Sequence, residues 1–143
     1  MSDDQFPVDD EVDSVLAAQL AELGARTTVF GAGRLGAGWT AKRLKTETSQ
    51  TVLDVSGRDA ESLTTEIGQV LGAAASSAQQ EDSQTVWRGI VGSGFASMNP
   101  AYVIIVLDRQ AATLGIAAHA KEGLIRQRTA QKAVSRVRET LGL

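Results

Sequence analysis

Residues 101–107 of this chain read Ala-Tyr-Val-Ile-Ile-Val-Leu, and no charged side chain interrupts them. A run this short and this apolar is typical of a β-strand that is buried on both faces at the centre of a sheet. Asn99-Pro100 precedes the run and a polar turn at 108–110 follows it. We therefore predict that this segment is the central strand of the fold.

Two more strand candidates, Thr85–Val91 and Ala112–Ala118, flank the central one in the sequence. The links between the three are too short for a crossover, which needs a dozen or more residues, so the pattern predicts an antiparallel meander. Earlier in the chain, the β-branched stretches Thr27–Phe30 and Thr51–Val55 predict further strands. Residues 39–46 fit either a helix or a strand.

Three helices are predicted from apolar spacing and from capping residues. The first begins at Asp9 or Asp10, the second covers 59–72 between an aspartate cap and a terminal glycine, and the third covers 128–141. The bases of the third helix lie mostly opposite its apolar side chains, as expected of a solvated face. The small, polar stretch 73–84 predicts a mobile connection.

Together these elements predict an α+β fold, in which three helices and a mostly antiparallel sheet of five or six strands form a two-layer sandwich, with the helices over one face. The predicted order is α-β-β-(β)-α-β-β-β-α. Residues 1–8 are predicted to be a flexible acidic arm and residues 9–143 a single α+β domain. The element order resembles that of roadblock domains and type III secretion chaperones, which are small dimeric modules. This resemblance implies a homo-oligomer and leaves the chemistry open.

Composition excludes several classes of site. The chain has no cysteine and one histidine, which excludes disulfides, thiolate metal sites and metal sites built from several histidines. His119 is expected to be solvated at the end of a strand, with no nucleophile or orienting acid beside it. No apolar run approaches the length of a membrane span, and the acidic start lacks the pattern of a secretory signal, so a cytoplasmic location is expected.

Charge is distributed unevenly along the chain. Residues 1–25 carry seven acids and no base, whereas residues 121–143 carry six bases and two acids. Such asymmetry is found in tails that bind a charged partner. It also fits two ends that attract each other, within one chain or across a dimer, and we favour this second interpretation. The net charge of −3 argues against a nucleic-acid partner.

One glycine-rich motif could carry chemistry. Gly31, Gly33 and Gly36 match G-x-G-x-x-G after a strand candidate, and Asp54 follows at the end of a later strand. The pattern resembles the dinucleotide-binding fingerprint of Rossmann proteins, and the resemblance implies that the glycines approach the pyrophosphate of NAD or NADP and that Asp54 binds the ribose. Alternatively, the glycines mark bulges or a hairpin in a curved sheet, and this is the interpretation we favour.

No catalytic residue can be assigned from the sequence. Whether the protein is an enzyme therefore stays open, and we favour the hypothesis that it is not one. The favoured hypothesis is a non-catalytic interaction or ligand-binding module that self-associates or binds a protein partner, without a cofactor. The alternative hypothesis is a compact Rossmann-like NAD(P)-binding protein that uses the glycine motif at 31–36.

Overall fold

The structure is a computed structural model that describes residues 12, 14–16, 18, 45–72, 76–81, 83–93, 99–122 and 128–143. It is an α+β fold built around one antiparallel sheet. The predicted arm at 1–8 and the predicted strand at 27–30 lie outside the described residues. The helix that contains Val12, Ser14–Leu16 and Ala18 is α1, and the later elements are β1 (Lys45–Asp54), α2 (Ala60–Leu71), β2 (Ser76–Glu81), β3 (Gln84–Ser93), β4 (Asn99–Asp108), β5 (Thr113–Glu122) and α3 (Thr129–Thr140).

The sheet has the strand order β1-β5-β4-β3-β2, and each neighbouring pair is antiparallel. The predicted central strand is confirmed, because β4 lies in the middle and every side chain from Ala101 to Leu107 is buried. A strand that is covered on both faces has no place for a charge, which explains the continuous apolar run. The predicted meander is also confirmed, because β3, β4 and β5 pair consecutively.

Different helices cover the two faces of the sheet. One set of alternating side chains, which includes Ile105, packs with α2 and α3. The other set, which includes Ile104, packs with Val12 and Leu16 of α1. The predicted two-layer sandwich with all helices over one face is therefore wrong. A central strand without polar alternation needs cover on both of its faces, and α1 supplies it on the second face.

The predicted element order is also wrong. Ser76–Glu81 was predicted to belong to a mobile connection at 73–84, but it forms β2, so four strands rather than three follow α2. Before α2, the described residues contain one strand, β1. β2 is an edge strand that pairs with β3 and has an irregular register between Gln79 and Glu81. Backbone hydrogen bonds hold such a strand, so apolar periodicity does not reveal it.

β1 is longer than the sequence pattern predicts. It begins at Lys45, inside the stretch that fitted either a helix or a strand, and it pairs with β5 along its full length. Lys45 lies opposite Glu122 and Asp54 lies opposite Thr113. β1 is therefore a ten-residue strand at one end of the described sheet.

α2 begins and ends at the residues predicted from the sequence. The Asp59 carboxylate accepts a hydrogen bond from the backbone N–H of Ser62 at 2.8 Å, which caps the helix start. Gly72 ends the helix with φ of +75°, a conformation that favours glycine. None of the helices in the described part of the chain is long and apolar enough to cross a membrane.

α3 is anchored at both ends by other elements. Its start has no side-chain cap of its own, and Glu47 of β1 accepts the backbone N–H of Ala130 at 3.1 Å instead. At its end, the Arg58 guanidinium donates to the carbonyl oxygen of Leu141 at 2.8 Å and to Glu66 of α2 at 2.8 Å. A carboxylate at the helix start and a guanidinium at its end both suit the helix dipole.

Candidate functional site

The residues predicted for nucleotide binding are only partly described. Gly31, Gly33 and Gly36 lie outside the described residues, so their role stays a prediction. Asp54 ends β1 with an exposed side chain, and its carboxylate accepts a hydrogen bond from the backbone N–H of Ser56 at 2.8 Å. This geometry is an Asx turn, which redirects the chain from β1 towards α2.

The Asp54 turn makes a testable contribution to stability. The Ser56 hydrogen bond holds the pKa of the Asp54 carboxyl below its ordinary value, because it favours the charged form. A depressed pKa stabilises the fold above the unfolded value of about 3.9, and this contribution is lost as the pH falls through the folded pKa. We expect Asp54→Ala to lower the melting temperature slightly at neutral pH and to equal the wild type in strong acid, as measured by calorimetry.

Asp54→Asn is the matched control, because it keeps an acceptor oxygen and removes only the titrating charge. We expect its melting temperature at neutral pH to lie between those of the wild type and Asp54→Ala. The nucleotide alternative predicts a different result. The wild type would bind NAD or NADP with micromolar affinity, and Asp54→Ala would abolish this binding without changing the melting temperature.

His119 occupies a position that the sequence did not indicate. It lies within β5 and is only 8% exposed, so the expectation of a solvated histidine at a strand end is wrong. Its Nδ1 lies 3.0 Å from the hydroxyl of Thr48 on β1, and Tyr102 on β4 is its register partner on the other side. The imidazole is therefore a buried polar contact between strands, on the face that α1 covers further along the sheet.

A cleft of about 280 Å³ opens where α2, β3 and α3 meet. The Arg136 guanidinium lines it and donates to the carbonyl oxygen of Gly92, so this side chain joins α3 to the end of β3. The described lining has one base and no carboxylate, and its other polar side chains are those of Gln69 and Thr140. It therefore lacks the paired acid and base that general acid–base catalysis needs.

Alternate side chains of β1 form an exposed row that we call the β1 outer face. It consists of Thr48, Gln50, Val52 and Asp54, all of which are exposed. Val52 is 53% exposed, and among the described residues no other large apolar side chain is classed as exposed. Among the described strands, β1 pairs on one side only, with β5. The β1 outer face thus borders a sheet edge and carries one apolar side chain in a polar row.

A second exposed surface lies on α3, and we call it the α3 basic face. It consists of Arg128, Lys132, Arg136 and Arg138, all of which are exposed. Arg128, Lys132 and Arg136 are four residues apart, so they form one stripe along the helix. Within the described part of the chain, none of the four side chains forms an ion pair.

The helices α1 and α3 lie on opposite faces of the sheet. The acids of residues 1–25 lie outside the described residues, so the interpretation that the acidic start and the basic end of the chain attract each other, within one chain or across a dimer, stays a prediction. Sequence reasoning missed the placement of α1 and α3 on opposite faces, because it depends on which helix covers each face.

Sequence reasoning also missed the β1 outer face, although the alternation of Thr48, Gln50 and Val52 with less exposed residues is the period-two signal of a half-buried strand.

The described residues contain no group of three or more acids and histidines that could hold a metal ion. No protein-family model matches the chain, and a search of curated proteins finds no match to it.

Proposed function

We propose that this protein is a non-catalytic interaction module that self-associates, and that two copies pair through the β1 edge. The observation that carries the proposal is the exposed β1 outer face with Val52 beside an edge that is unpaired among the described strands. A homodimeric state and a cytoplasmic location belong to the same proposal.

The physical argument concerns how proteins protect sheet edges. An edge strand presents unpaired N–H and C=O groups that can pair with another chain. Natural proteins usually prevent such pairing by placing lysines, prolines or bulges in the edge strand, or by keeping that strand short. β1 is ten residues long, keeps a regular register with β5, and has no charged residue between Thr48 and Leu53. An edge of this kind supports pairing with a second copy.

The proposed pair is symmetric. Two antiparallel β1 strands would be related by a two-fold axis perpendicular to the sheet, so that each copy offers the same residues to the other. A strand pair buries less area than the ~1,200–2,000 Å² of a stable interface, which places it among weak, transient complexes. We therefore expect dimers to form at a chain concentration of about 10–100 µM.

The first test compares Val52→Lys with the wild type by sedimentation equilibrium. A lysine at Val52 would bring like charges together across the two-fold axis and is a natural means of protecting an edge. We expect Val52→Lys to weaken dimerisation at least ~tenfold, which corresponds to about 1.4 kcal/mol. The melting temperature of the monomer should change little, because the site is exposed.

Gln131→Lys is the matched control, because it adds the same charge at an exposed position of α3. We expect it to dimerise like the wild type. Two results would contradict pairing through β1. One is a wild type that remains monomeric at about 200 µM, above the ~10–100 µM range expected here. The other is equal weakening of dimerisation by both variants.

The fold argues against the NAD(P) alternative. A Rossmann site lies at the carboxyl ends of parallel strands, whereas all described strand pairs here are antiparallel. A thermal-shift screen with NAD and NADP tests this choice, because a ligand at 100 times its dissociation constant would stabilise the protein by about 2.7 kcal/mol. We expect no shift.

A further inference from the structure

The hydrogen bonds between β1 and β5 determine which backbone groups of β1 point towards the sheet edge. In an antiparallel pair, residues that exchange hydrogen bonds with their partners alternate with residues that do not. The ladder continues one step past the end of β1, where the N–H of Val55 donates to the carbonyl oxygen of Ala112 at 2.9 Å. The odd-numbered residues of β1 therefore bond to β5, and the N–H and C=O groups of its even-numbered residues point away from β5.

The even-numbered residues of β1 also carry its exposed side chains. Thr48, Gln50 and Val52 are all exposed, and no charged residue lies between them. A second strand that bonds to their backbone groups would set its own side chains beside theirs, on the same face of the sheet. These three side chains therefore decide which register of pairing is favourable.

One register lets these three residues pair only with each other. A two-fold axis that passes at Gln50 sets Gln50 opposite the same residue of the second copy, and it sets Thr48 opposite Val52. The hydroxyl of Thr48 lies 3.0 Å from Nδ1 of His119, so its methyl group remains to contact the valine. A pair of β-branched side chains suits a pleated surface, and each Gln50 amide offers donors and an acceptor to the other.

The same register brings opposite charges together at both ends of the paired stretch. Asp54 of one copy comes opposite Thr46 of the other, whose hydroxyl accepts a hydrogen bond from the Lys121 ammonium at 2.9 Å. Opposed side chains of an antiparallel pair begin about 5 Å apart. The exposed Asp54 carboxylate therefore comes within range of attraction to Lys121 of the second copy, and the symmetry repeats this contact.

The two neighbouring registers lack this complementarity. An axis one residue earlier would set Val52 against Thr46 and the Lys121 ammonium, so an apolar side chain would strip water from a charge. An axis one residue later would set Asp54 opposite Thr48, whose hydroxyl is already engaged by His119. In that register the carboxylate loses water without approaching a cation.

We infer that the two copies pair in a single register, with Gln50 of each copy facing Gln50 of the other on the two-fold axis. The inference rests on the proposed pairing through β1, and it deepens that proposal by naming the surface of the partner that the edge recognises. That surface is the β1 outer face of a second copy. Gln50 centres the interface, Thr48 and Val52 flank it, and Asp54 closes each end.

Cross-linking between mixed cysteine variants of the full chain tests the register. The chain has no cysteine, so each single variant carries one thiol. Opposed Cα atoms of the pair lie ~5.5 Å apart, within disulfide range, whereas residues offset by four positions lie ~13 Å apart. We expect Gln50→Cys to cross-link with itself. A mixture of Thr48→Cys and Val52→Cys, one of them labelled with heavy nitrogen, should form mixed dimers at least ~tenfold faster than same-variant dimers, as measured by mass spectrometry.

Two other mixtures report the neighbouring registers. Thr48→Cys with Gln50→Cys would cross-link fastest if the axis lay one residue earlier, and Gln50→Cys with Val52→Cys would do so if it lay one residue later. Either result overturns the Gln50 axis and leaves pairing through β1 intact. Cross-linking that is no faster in any of these samples than in Gln131→Cys, at an exposed position of α3, overturns both the register and the pairing.

Discussion

Replacing Ile105 by alanine is expected to lower the free energy of unfolding by ~2–5 kcal/mol. Ile105 lies in the central strand, is completely buried, and packs in the cluster beneath α2 and α3. Truncation removes buried methyl groups and leaves a cavity that the surrounding strands cannot close, because β4 is paired on both edges. Urea denaturation of the two proteins measures the difference directly.

Val52→Ala is the control for this experiment, because Val52 is a β-branched residue on an exposed row of the same sheet. We expect it to change the free energy of unfolding by less than about 0.5 kcal/mol. A loss below about 0.5 kcal/mol for Ile105→Ala as well would mean that β4 is not the centre of the core.

Replacing Leu16 by alanine is expected to have an effect of similar size, ~2–5 kcal/mol. Leu16 is completely buried and packs with Ile104 and Val106 on the face opposite α3. The measurement therefore tests the third layer of the fold, which the sequence pattern did not predict. Ser14→Ala is the control on the same helix, since Ser14 is exposed. A Leu16 variant as stable as the Ser14 variant would show that α1 does not pack on the sheet.

The features that the sequence predicted correctly are those that local signals encode. The run at 101–107 identified β4, because a strand buried on both faces leaves a continuous apolar stretch. Asp59 and Gly72 identified the limits of α2, because capping depends on one or two residues at each end. Short links identified the antiparallel meander.

The features that were predicted wrongly depend on tertiary structure. β2 is held by its backbone partner in β3, so its polar sequence resembled a mobile connection. The layer arrangement depends on which helix covers Ile104 and which covers Ile105, and both residues are equally apolar. Uneven charge along the chain was visible in the sequence, but the opposite placement of α1 and α3 was not.

The candidate surfaces were even less accessible to sequence reasoning. The glycine motif drew attention to Gly31, Gly33, Gly36 and Asp54, and of these the described residues include Asp54 alone, which forms a turn. The β1 outer face became recognisable only when β1 was found at one end of the described sheet. The bases of α3 were interpreted as a solvated face, and their exposed positions agree with that interpretation.

The central claim, pairing of two copies through β1, is tested most directly by cysteine cross-linking. The chain has no cysteine, so Thr48→Cys, Gln50→Cys and Val52→Cys each introduce a single thiol. Opposed residues of an antiparallel pair have Cα atoms ~4.5–5.5 Å apart, within the range that a disulfide bridges. We expect one of these variants, at the two-fold axis, to form a covalent dimer far faster than its neighbours and than Gln131→Cys on α3. Equally slow cross-linking in all four variants would contradict the claim.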